Sequence, residues 1–228
     1  MLTSPWIVHA CLWMLVVVVI AFRVVVAGYE KPLSIDVGGD RFEVAKGSGL
    51  LQIAFQCEDR GWIGFPRFLA FYGRLFHYAG GLKAGEYRIT PDMSLKNLLQ
   101  KMLKGDVIIY QLTFVEGQTY RDYLQLLENT EGIVKTTTAG DESVLMKMMG
   151  ENHKSPEGLL FPDTYFYQKG ETDAEILKRA HHHLQEVLAR EWAARAKDLP
   201  YQSPYDALIM ASIIEKETAV EAERTIIA

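Results

Sequence analysis

The amino-terminal part of the chain is a continuous apolar segment. Residues 6–27 are rich in Val, Leu and Ile, and only His9 near one end and Arg23 near the other interrupt them. About 20 apolar residues in a helix cross the ~30 Å hydrocarbon core of a bilayer, and Arg23 lies close enough to the end of the segment to reach the interface. The pattern therefore predicts one transmembrane helix over residues 6–28, preceded by a short tail over residues 1–5.

A cleaved signal peptide would also contain an apolar segment near the amino terminus. This segment has no basic region before it, and its Val-rich core is long for a signal peptide. We therefore expect an uncleaved anchor. Because the tail contains no Lys or Arg, charge alone does not give the orientation of the helix.

From residue 41 onward, strand-like and helix-like stretches follow each other. Apolar residues at alternate positions indicate strands, and apolar residues at helical spacing indicate helices. The predicted strands lie at residues 41–46, 82–90 and 107–115, and the predicted helices begin near Leu50, Phe65, Ser94 and Thr119. This order predicts an α+β fold class, with a small unit over residues 35–115.

The second of these helices carries five aromatic residues, Phe65, Phe68, Phe71, Tyr72 and Phe76. Aromatic faces of this kind can form a platform for sugar rings. At helical spacing, however, aromatic residues more often belong to a hydrophobic core. We expect them to be core residues.

A polar stretch at residues 136–155 is typical of a linker or a surface excursion. After it, the Phe161-Pro162-Asp163-Thr164-Tyr165 run has two interpretations. Its aromatic residues could stack on sugars in the wall of a cleft, with Pro162 fixing the backbone. Alternatively, the run enters a strand through a turn, with Phe161 and Tyr165 buried.

A long amphipathic helix is predicted over residues 173–196. His181, His182 and His183 lie in its middle. Adjacent helical residues point in different directions, so these histidines make a poor metal site. We expect them to lie on a solvated face or in an incidental surface patch, and we expect no metal site in the chain.

The last predicted helix begins with a strong set of local signals. Ser203 is a good N-cap, Pro204 suits the first turn, and Asp206 complements the positive end of the helix dipole. Residues 207–214 are then apolar on nearly every side of the helix. This pattern favours burial in a protein core.

Two glutamates follow directly from that apolar stretch. At about 100° per residue, Glu217 falls on the side of Met210 and Ile213, whereas Glu215 lies near Leu208 and Ala211. A carboxyl group beside an apolar stripe is partly desolvated, which raises its pKa toward the range of a proton donor. The alternative is that both glutamates solvate the helix end, with Lys216 and Arg224 as partners.

Composition adds three constraints. The 228 residues, 49% of them hydrophobic, are enough for one large domain or two small ones. The net charge of −5 argues against nucleic acid as a partner. Cys11 lies in the apolar segment and Cys57 outside it, so the two cannot pair within one chain if that segment is in a bilayer.

Four segments together resemble one protein family. They are LKAGEYRITPDMS (residues 82–94), FVEGQTYRDYL (114–124), EGLLFPDTYFY (157–167) and ASIIEKETAVEAER (211–224). They occur in the order that the MltG (YceG-like) family of endolytic murein transglycosylases has, and the resemblance covers most of the chain from about residue 35 onward.

The resemblance implies a domain organisation. The unit at residues 35–115 corresponds to a LysM-like βααβ module, which in other proteins binds N-acetylglucosamine. Residues 116–228 correspond to the amino-terminal part of a mixed α/β catalytic domain. The family continues well beyond this point, so the resemblance implies that the catalytic domain is incomplete and that the 228-residue form is poorly active or inactive. It also implies an inner-membrane location, with a cytoplasmic tail and a periplasmic body.

The resemblance also implies a reaction and a site. Glu217 corresponds to the catalytic acid of a lytic transglycosylase, which cleaves peptidoglycan between N-acetylmuramic acid and N-acetylglucosamine and leaves a 1,6-anhydro end. Phe161, Asp163, Tyr165 and Glu215 are candidate cleft residues. No cofactor is expected. Expected partners are glycan strands, the membrane, and cell-wall synthases or division proteins.

Two alternatives stay open. Asp163 and Glu217 could act as the carboxylate pair of an ordinary hydrolytic glycosidase. The chain could also be a membrane-anchored peptidoglycan-binding or interaction protein without activity.

Overall fold

The structure is a computed structural model of the chain. It describes residues 5–33, 35, 39–75, 78, 80–137, 142–150, 155–218 and 223–224. The chain forms two compact units, Met1–Ile108 and Ile109–Ala228. The elements of each unit are given separately below.

The amino-terminal helix is α1, which spans Pro5–Glu30. Within it, Val8–Glu30 has a mean hydropathy of 2.7 and none of its most apolar window is buried in the protein. The sequence prediction of one apolar amino-terminal helix, long enough to cross a bilayer, is therefore confirmed.

In the part of the first unit that the structure describes, two strands and three helices follow α1 in the predicted order. They are β1 (Asp40–Val44), α2 (Leu50–Asp59), α3 (Pro66–Leu75), β2 (Gly85–Ile89) and α4 (Leu95–Lys104). β1 and β2 are antiparallel, with Asp40 opposite Ile89 and Val44 opposite Gly85. One hydrophobic core holds these elements together, and Phe42, Ile53, Tyr87 and Leu98 are fully buried in it.

Local signals explain α4 well. The Ser94 hydroxyl accepts a hydrogen bond from the Asn97 amide at 3.3 Å, and Gly105 ends the helix in the left-handed region at φ 76°. Its buried residues are those that the helical spacing selects: Leu95, Leu98, Leu99 and Met102.

The aromatic residues of α3 are only partly in the core. Tyr72 is buried and Phe68 is half-buried, but Phe65 is 70% exposed and Phe71 is 58% exposed. The core prediction is therefore wrong for Phe65 and Phe71, because α3 packs on one side only. Phe76 lies outside the described residues.

The second unit also combines a two-stranded sheet with helices. Its elements are β3 (Ile109–Thr113), α5 (Tyr120–Asn129), α6 (Glu142–Met149), β4 (Thr164–Gln168), α7 (Asp173–Ala194) and α8 (Pro204–Glu217). β3 and β4 are antiparallel, with Leu112 opposite Tyr165. The rings of Phe114 and Tyr123 stack 4.2 Å apart in the core beneath them.

Two sequence predictions in this unit are wrong. The stretch predicted as a linker contains α6, whose Leu145 and Met146 are buried. Eight residues give barely two turns, too short for periodicity to stand out against the polar flanks. His181 is buried rather than on a surface, and its Nδ1 lies 2.9 Å from the Leu159 carbonyl oxygen.

The start of α8 is confirmed and its predicted burial is not. Ser203 and Asp206 form a capping box, with the Ser203 hydroxyl 3.2 Å from the Asp206 amide. No residue of the helix is buried, and Ile213 is 46% exposed. Among the described residues, Leu208 of α8 packs against the core cluster that includes Leu184 of α7. This contact lies on one side of α8, so the other sides remain exposed.

Asp173 is the most heavily hydrogen-bonded buried carboxylate described in this unit. It accepts bonds from the Thr136 hydroxyl at 2.6 Å, the Thr136 amide at 2.9 Å, the Thr137 amide at 3.0 Å and the Ala174 amide at 2.8 Å. Burial acts to raise its pKa, but these hydrogen bonds outweigh burial and hold the pKa of Asp173 below its usual value. The carboxylate thereby fixes residues 136–137 to the start of α7.

We predict that Asp173→Asn lowers the free energy of unfolding at pH 7 by about 2 kcal/mol, because an amide cannot accept from all these donors. The lowered pKa also gives a pH dependence. The stabilisation from Asp173 is complete above the unfolded pKa of about 3.9 and is lost as pH falls through the lower folded pKa. The variant should lack this part of the acid sensitivity.

Urea unfolding between pH 2.5 and 7 measures both effects. Asp198→Asn is the control, because Asp198 is exposed on the surface and should change neither quantity. Equal stability of wild type and Asp173→Asn at pH 7 would contradict this prediction.

Candidate functional site

The second unit contains a cleft of about 420 Å³ that three separate chain segments line together with Leu184 of α7. Its first wall is α8, which contributes Leu208, Ala211, Ser212 and Glu215. The helical angle predicted this grouping, since Glu215 was expected on the side of Leu208 and Ala211. The prediction is confirmed.

The second wall is the turn that leads from β3 into α5, with Gly117, Gln118 and Tyr120. Gly117 adopts φ 73°, a conformation that favours glycine. Its carbonyl oxygen accepts a hydrogen bond from the ammonium group of Lys216 in α8. This contact ties the first wall to the second across 99 residues of sequence.

The third wall is the segment before β4, with Glu157, Gly158, Leu160 and Phe161. The Glu157 carboxylate accepts a hydrogen bond from the Tyr120 amide at 3.0 Å. That amide is the first of α5, where a carboxylate also complements the helix dipole. Glu157 therefore joins the third wall to the second.

Two tyrosines beneath the cleft keep their hydroxyl protons. Burial raises the pKa of Tyr120 to about 12 and that of Tyr123 to about 12, with smaller contributions from nearby carboxylates. The Tyr123 hydroxyl donates to the Val115 carbonyl oxygen at 2.7 Å. The buried Tyr120 hydroxyl has no hydrogen-bond partner among the described residues.

Glu215 is a half-buried acid of this cleft. Its Oε2 lies 2.7 Å from Nη2 of Arg224. The Arg224 guanidinium therefore holds the Glu215 side chain in place at the cleft wall.

Glu217 is exposed, and it is not among the residues that line the cleft. The desolvation expected from the apolar side of α8 is absent in this structure, because Ile213 on that side is itself exposed. The backbone of Glu217 is nevertheless fixed on both sides. Lys216 bonds to Gly117 in the cleft wall, and Thr218 is buried with its amide 3.2 Å from the Ile214 carbonyl oxygen.

The other candidate cleft residues divide between two surroundings. Phe161 lines the cleft. Tyr165 is buried in the core, where burial raises its pKa and its hydroxyl donates to the Phe161 carbonyl oxygen at 2.6 Å. Asp163 is exposed outside the cleft lining, with its Oδ2 3.4 Å from Nδ1 of His183. The structure therefore brings Phe161 and Glu215 together and leaves Asp163 and Tyr165 elsewhere.

Sequence reasoning did not single out Gly117, Tyr120, Glu157 or Lys216 as site residues. All four lie inside or beside the quoted segments at residues 114–124, 157–167 and 211–224. The joint occurrence of those segments was the sequence signal that could have identified these residues. Within the described part of the chain, no cluster of three or more His, Cys, Asp or Glu residues could hold a metal ion.

Similarities to known proteins cover most of the chain. The model of the YceG-like family matches residues 42–228. The endolytic murein transglycosylase of Streptococcus pneumoniae serotype 2 strain D39 is 24% identical over 215 residues, covering 81% of this chain and 38% of that protein. The Bacillus subtilis strain 168 protein of the same name is 27% identical over 169 residues, covering 64% and 45% respectively.

A solved structure is also similar. The crystal structure of a YceG-like protein from Listeria monocytogenes is 23% identical, with a TM-score of 0.36, and the match covers 82% of this chain and 66% of that one. The chain spans less than half the length of the two named transglycosylases. Since the family match extends over all but the amino-terminal 41 residues, the chain belongs to the YceG-like family.

Proposed function

We propose that this chain is part of an endolytic murein transglycosylase that cleaves peptidoglycan strands between N-acetylmuramic acid and N-acetylglucosamine. The observation that carries the proposal is the cleft itself. Three segments far apart in sequence, each similar to the transglycosylase family, meet around it. The two relatives described above are named endolytic murein transglycosylase.

The lining of the cleft suits a glycan. Phe161, Tyr205 and Leu208 offer aromatic and aliphatic surface for the apolar faces of sugar rings. Glu157, Ser212 and Glu215 supply polar groups for hydroxyls and amides. A mainly apolar concavity with a few polar groups is the usual form of a small-molecule site.

We assign the acid of the reaction to Glu217. Its carboxyl group donates a proton to the glycosidic oxygen as the bond to the muramic anomeric carbon breaks. The resulting carboxylate accepts the proton of the muramic C6 hydroxyl, whose oxygen bonds to the anomeric carbon and forms the 1,6-anhydro ring. Glu217 ends the cycle protonated, and water is not consumed.

The choice between the two glutamates of α8 depends on their partners as well as on position. Glu215 has the better position, because it lines the cleft, but its carboxylate is already engaged by the Arg224 guanidinium. A proton donor must be free to reach the glycosidic oxygen. Glu217 has no ion pair with any described residue. It follows Lys216 in the chain, whose ammonium group bonds to Gly117 in the cleft wall. We therefore assign Glu215 to binding and Glu217 to proton transfer.

The hydrolytic alternative requires two carboxyl groups flanking one bond. Asp163 bonds to the Thr164 amide at 2.6 Å and faces His183, outside the cleft lining. Because Asp163 is already engaged by the Thr164 amide and faces His183, we favour transglycosylation by Glu217 over a pair of Asp163 and Glu217. A peptidoglycan-binding protein without activity remains the other candidate, and the assays below distinguish it from the enzyme.

We also propose that α1 anchors the protein in the bacterial inner membrane with its body in the periplasm. Its length and apolar composition support a single crossing, and an enzyme of peptidoglycan belongs in the envelope. The LysM-like assignment of residues 35–115, and cell-wall synthases or division proteins as partners, belong to the same proposal.

We predict that Glu217→Gln lowers the rate of anhydromuropeptide release by about 100-fold or more, the usual contribution of a positioned acid. Glu215→Gln should retain more activity, because it removes a binding contact. Mass spectrometry of products from intact murein measures both variants. A reducing end would show hydrolysis. Absence of any product from a protein as long as the named relatives, with murein still bound, would favour the binding protein. Loss of activity in Glu215→Gln alone would contradict the assignment.

We predict that Ala211→Phe weakens binding of a soluble glycan fragment by about tenfold or more, because the larger side chain fills the cleft. Ala211 is exposed on the cleft side of α8, so the fold should tolerate the change. Ile213→Phe is the matched control, since Ile213 is exposed on the same helix away from the cleft. Titration calorimetry measures the affinity, and an equal loss in both variants would contradict a glycan site here.

A further inference from the structure

The α2–α3 hairpin exposes an unusual amount of apolar surface, which we call the hairpin surface. Its members are Leu51 and Phe55 of α2, Phe65 at the turn, and Phe71 and Leu75 of α3, each 41–70% exposed. Most monomeric soluble proteins do not expose several large apolar side chains side by side. Such a surface indicates a partner.

The exposed side of α3 is apolar and is bordered by arginines. At about 100° per residue, Phe71 and Leu75 lie together on it, and Arg67 and Arg74 lie along one border. All four are exposed, whereas Leu69 on the opposite side is fully buried. Aromatic and aliphatic residues bordered by arginine are typical of helices that lie in a membrane interface.

The α3 helix lies directly beside the apolar segment of α1. The ring of Phe68 lies 6.1 Å from that of Phe22 and 6.0 Å from that of Tyr29. At 1.5 Å per residue, Phe22 is about 12 Å from the end of α1 at Glu30. Phe68 is therefore level with a residue inside the candidate membrane span, Val8–Glu30.

This contact sets the depth of the hairpin. A span of ~20 residues crosses the hydrocarbon core, so a hydrocarbon span that ends near Ala27, one turn before the end of α1 at Glu30, places Phe22 and the adjacent Arg23 close to the interface. Aromatic residues concentrate at that depth, and arginine can reach lipid phosphates from it. Phe65 and Phe71 lie on either side of Phe68 along the chain, so they are held at a similar level.

An open groove of about 620 Å³ lies where α2 meets the start of α3. Phe55, Phe65 and Phe68 line it together with Arg67 and one acid, Glu58. The groove is large enough for part of an acyl chain or a headgroup. It continues the hairpin surface toward α1, since Phe68 contacts both the groove and Phe22.

We propose that the hairpin surface docks on the interfacial layer of the same bilayer that α1 crosses, with its aromatic side chains among the upper acyl chains and its arginines on anionic lipid phosphates. The inference rests on the membrane anchor proposed above. Docking at two points restricts the orientation of the first unit relative to the membrane, which a single helix followed by a free chain would not do.

Depth-dependent fluorescence quenching tests this docking in the full chain. A single cysteine at Phe65 carries an NBD label, and Cys11 is replaced by Ser. Cys57 can stay, because it is fully buried and burial raises its pKa to about 12, which leaves the thiol unreactive. The protein is reconstituted in vesicles of phosphatidylcholine and phosphatidylglycerol that contain no quencher, a doxyl quencher near the headgroup, or a doxyl quencher near the end of the acyl chain, which reports on the Val16 label.

Two matched positions serve as controls. Val16→Cys places the label in the middle of α1 and reports whether the helix crosses the bilayer at all. Lys46→Cys places it on an exposed turn just before α2, at the end of the hairpin opposite Phe65. Docking predicts strong quenching of the Phe65 label by the shallow quencher and little quenching of the Lys46 label.

A further variant tests the energetics. Phe71→Asp in the Phe65-labelled protein should shift the docked-to-undocked ratio by about tenfold toward undocked, because it removes one interfacial aromatic. Phe71 belongs to the first unit and the cleft to the second, so binding of soluble glycan fragments should persist. The Phe71→Asp protein should also elute as the wild type does in detergent.

Each other outcome overturns the inference in a distinct way. An unquenched Phe65 label with a quenched Val16 label would leave the anchor intact and refute docking. An unquenched Val16 label would refute the anchor itself. Equal quenching at Phe65 and Lys46 would indicate unspecific adsorption. Self-quenching between Phe65 labels without lipid quenching would show that a second copy of the chain covers the surface.

Discussion

The candidate site depends on two hydrogen bonds that join distant parts of the second unit. The Lys216 ammonium group bonds to the Gly117 carbonyl oxygen, and the Glu157 carboxylate bonds to the Tyr120 amide. These two bonds join α8 and the segment before β4 to the turn that opens α5. Each bond uses a group that the local structure leaves available, either a turn carbonyl or the first amide of a helix. The cleft is therefore a consequence of capping and turn chemistry as much as of core packing.

The chemistry proposed for the cleft follows from how the structure separates two neighbouring acids. On a helix, residues two apart point in different directions, so Glu215 and Glu217 cannot share surroundings. Arg224 forms an ion pair with Glu215, while Glu217 lies outside the cleft lining, next to Lys216, which bonds to the cleft wall. Divergent surroundings for nearby carboxyl groups are how enzymes assign acid and binding roles. The occupant that we propose for the cleft beside Glu215 is a glycan strand.

Sequence alone predicted the features that local interactions decide. The α4 helix was predicted between Ser94 and Gly105 because its caps are adjacent in sequence, and Glu215 was grouped with Leu208 because helical geometry fixes that angle. Features that depend on distant packing were missed. Periodicity showed that residues 207–214 are apolar, but it could not show which sides of α8 are covered. The burial of His181 depends on Leu159, and the Lys216 contact spans 99 residues, so neither was visible in a local pattern.

The central claim is that a glycan strand binds where the three segments meet, and amide hydrogen exchange tests it most directly. Exchange is compared with and without a soluble GlcNAc–MurNAc oligomer, by mass spectrometry of peptic peptides. The proposal predicts slower exchange in peptides that cover residues 115–120, 156–162 and 208–216, and unchanged exchange on the outer surface of α7 around His182. Slowing confined to the surface around Asp163 and His183, with the three cleft segments unchanged, would contradict it.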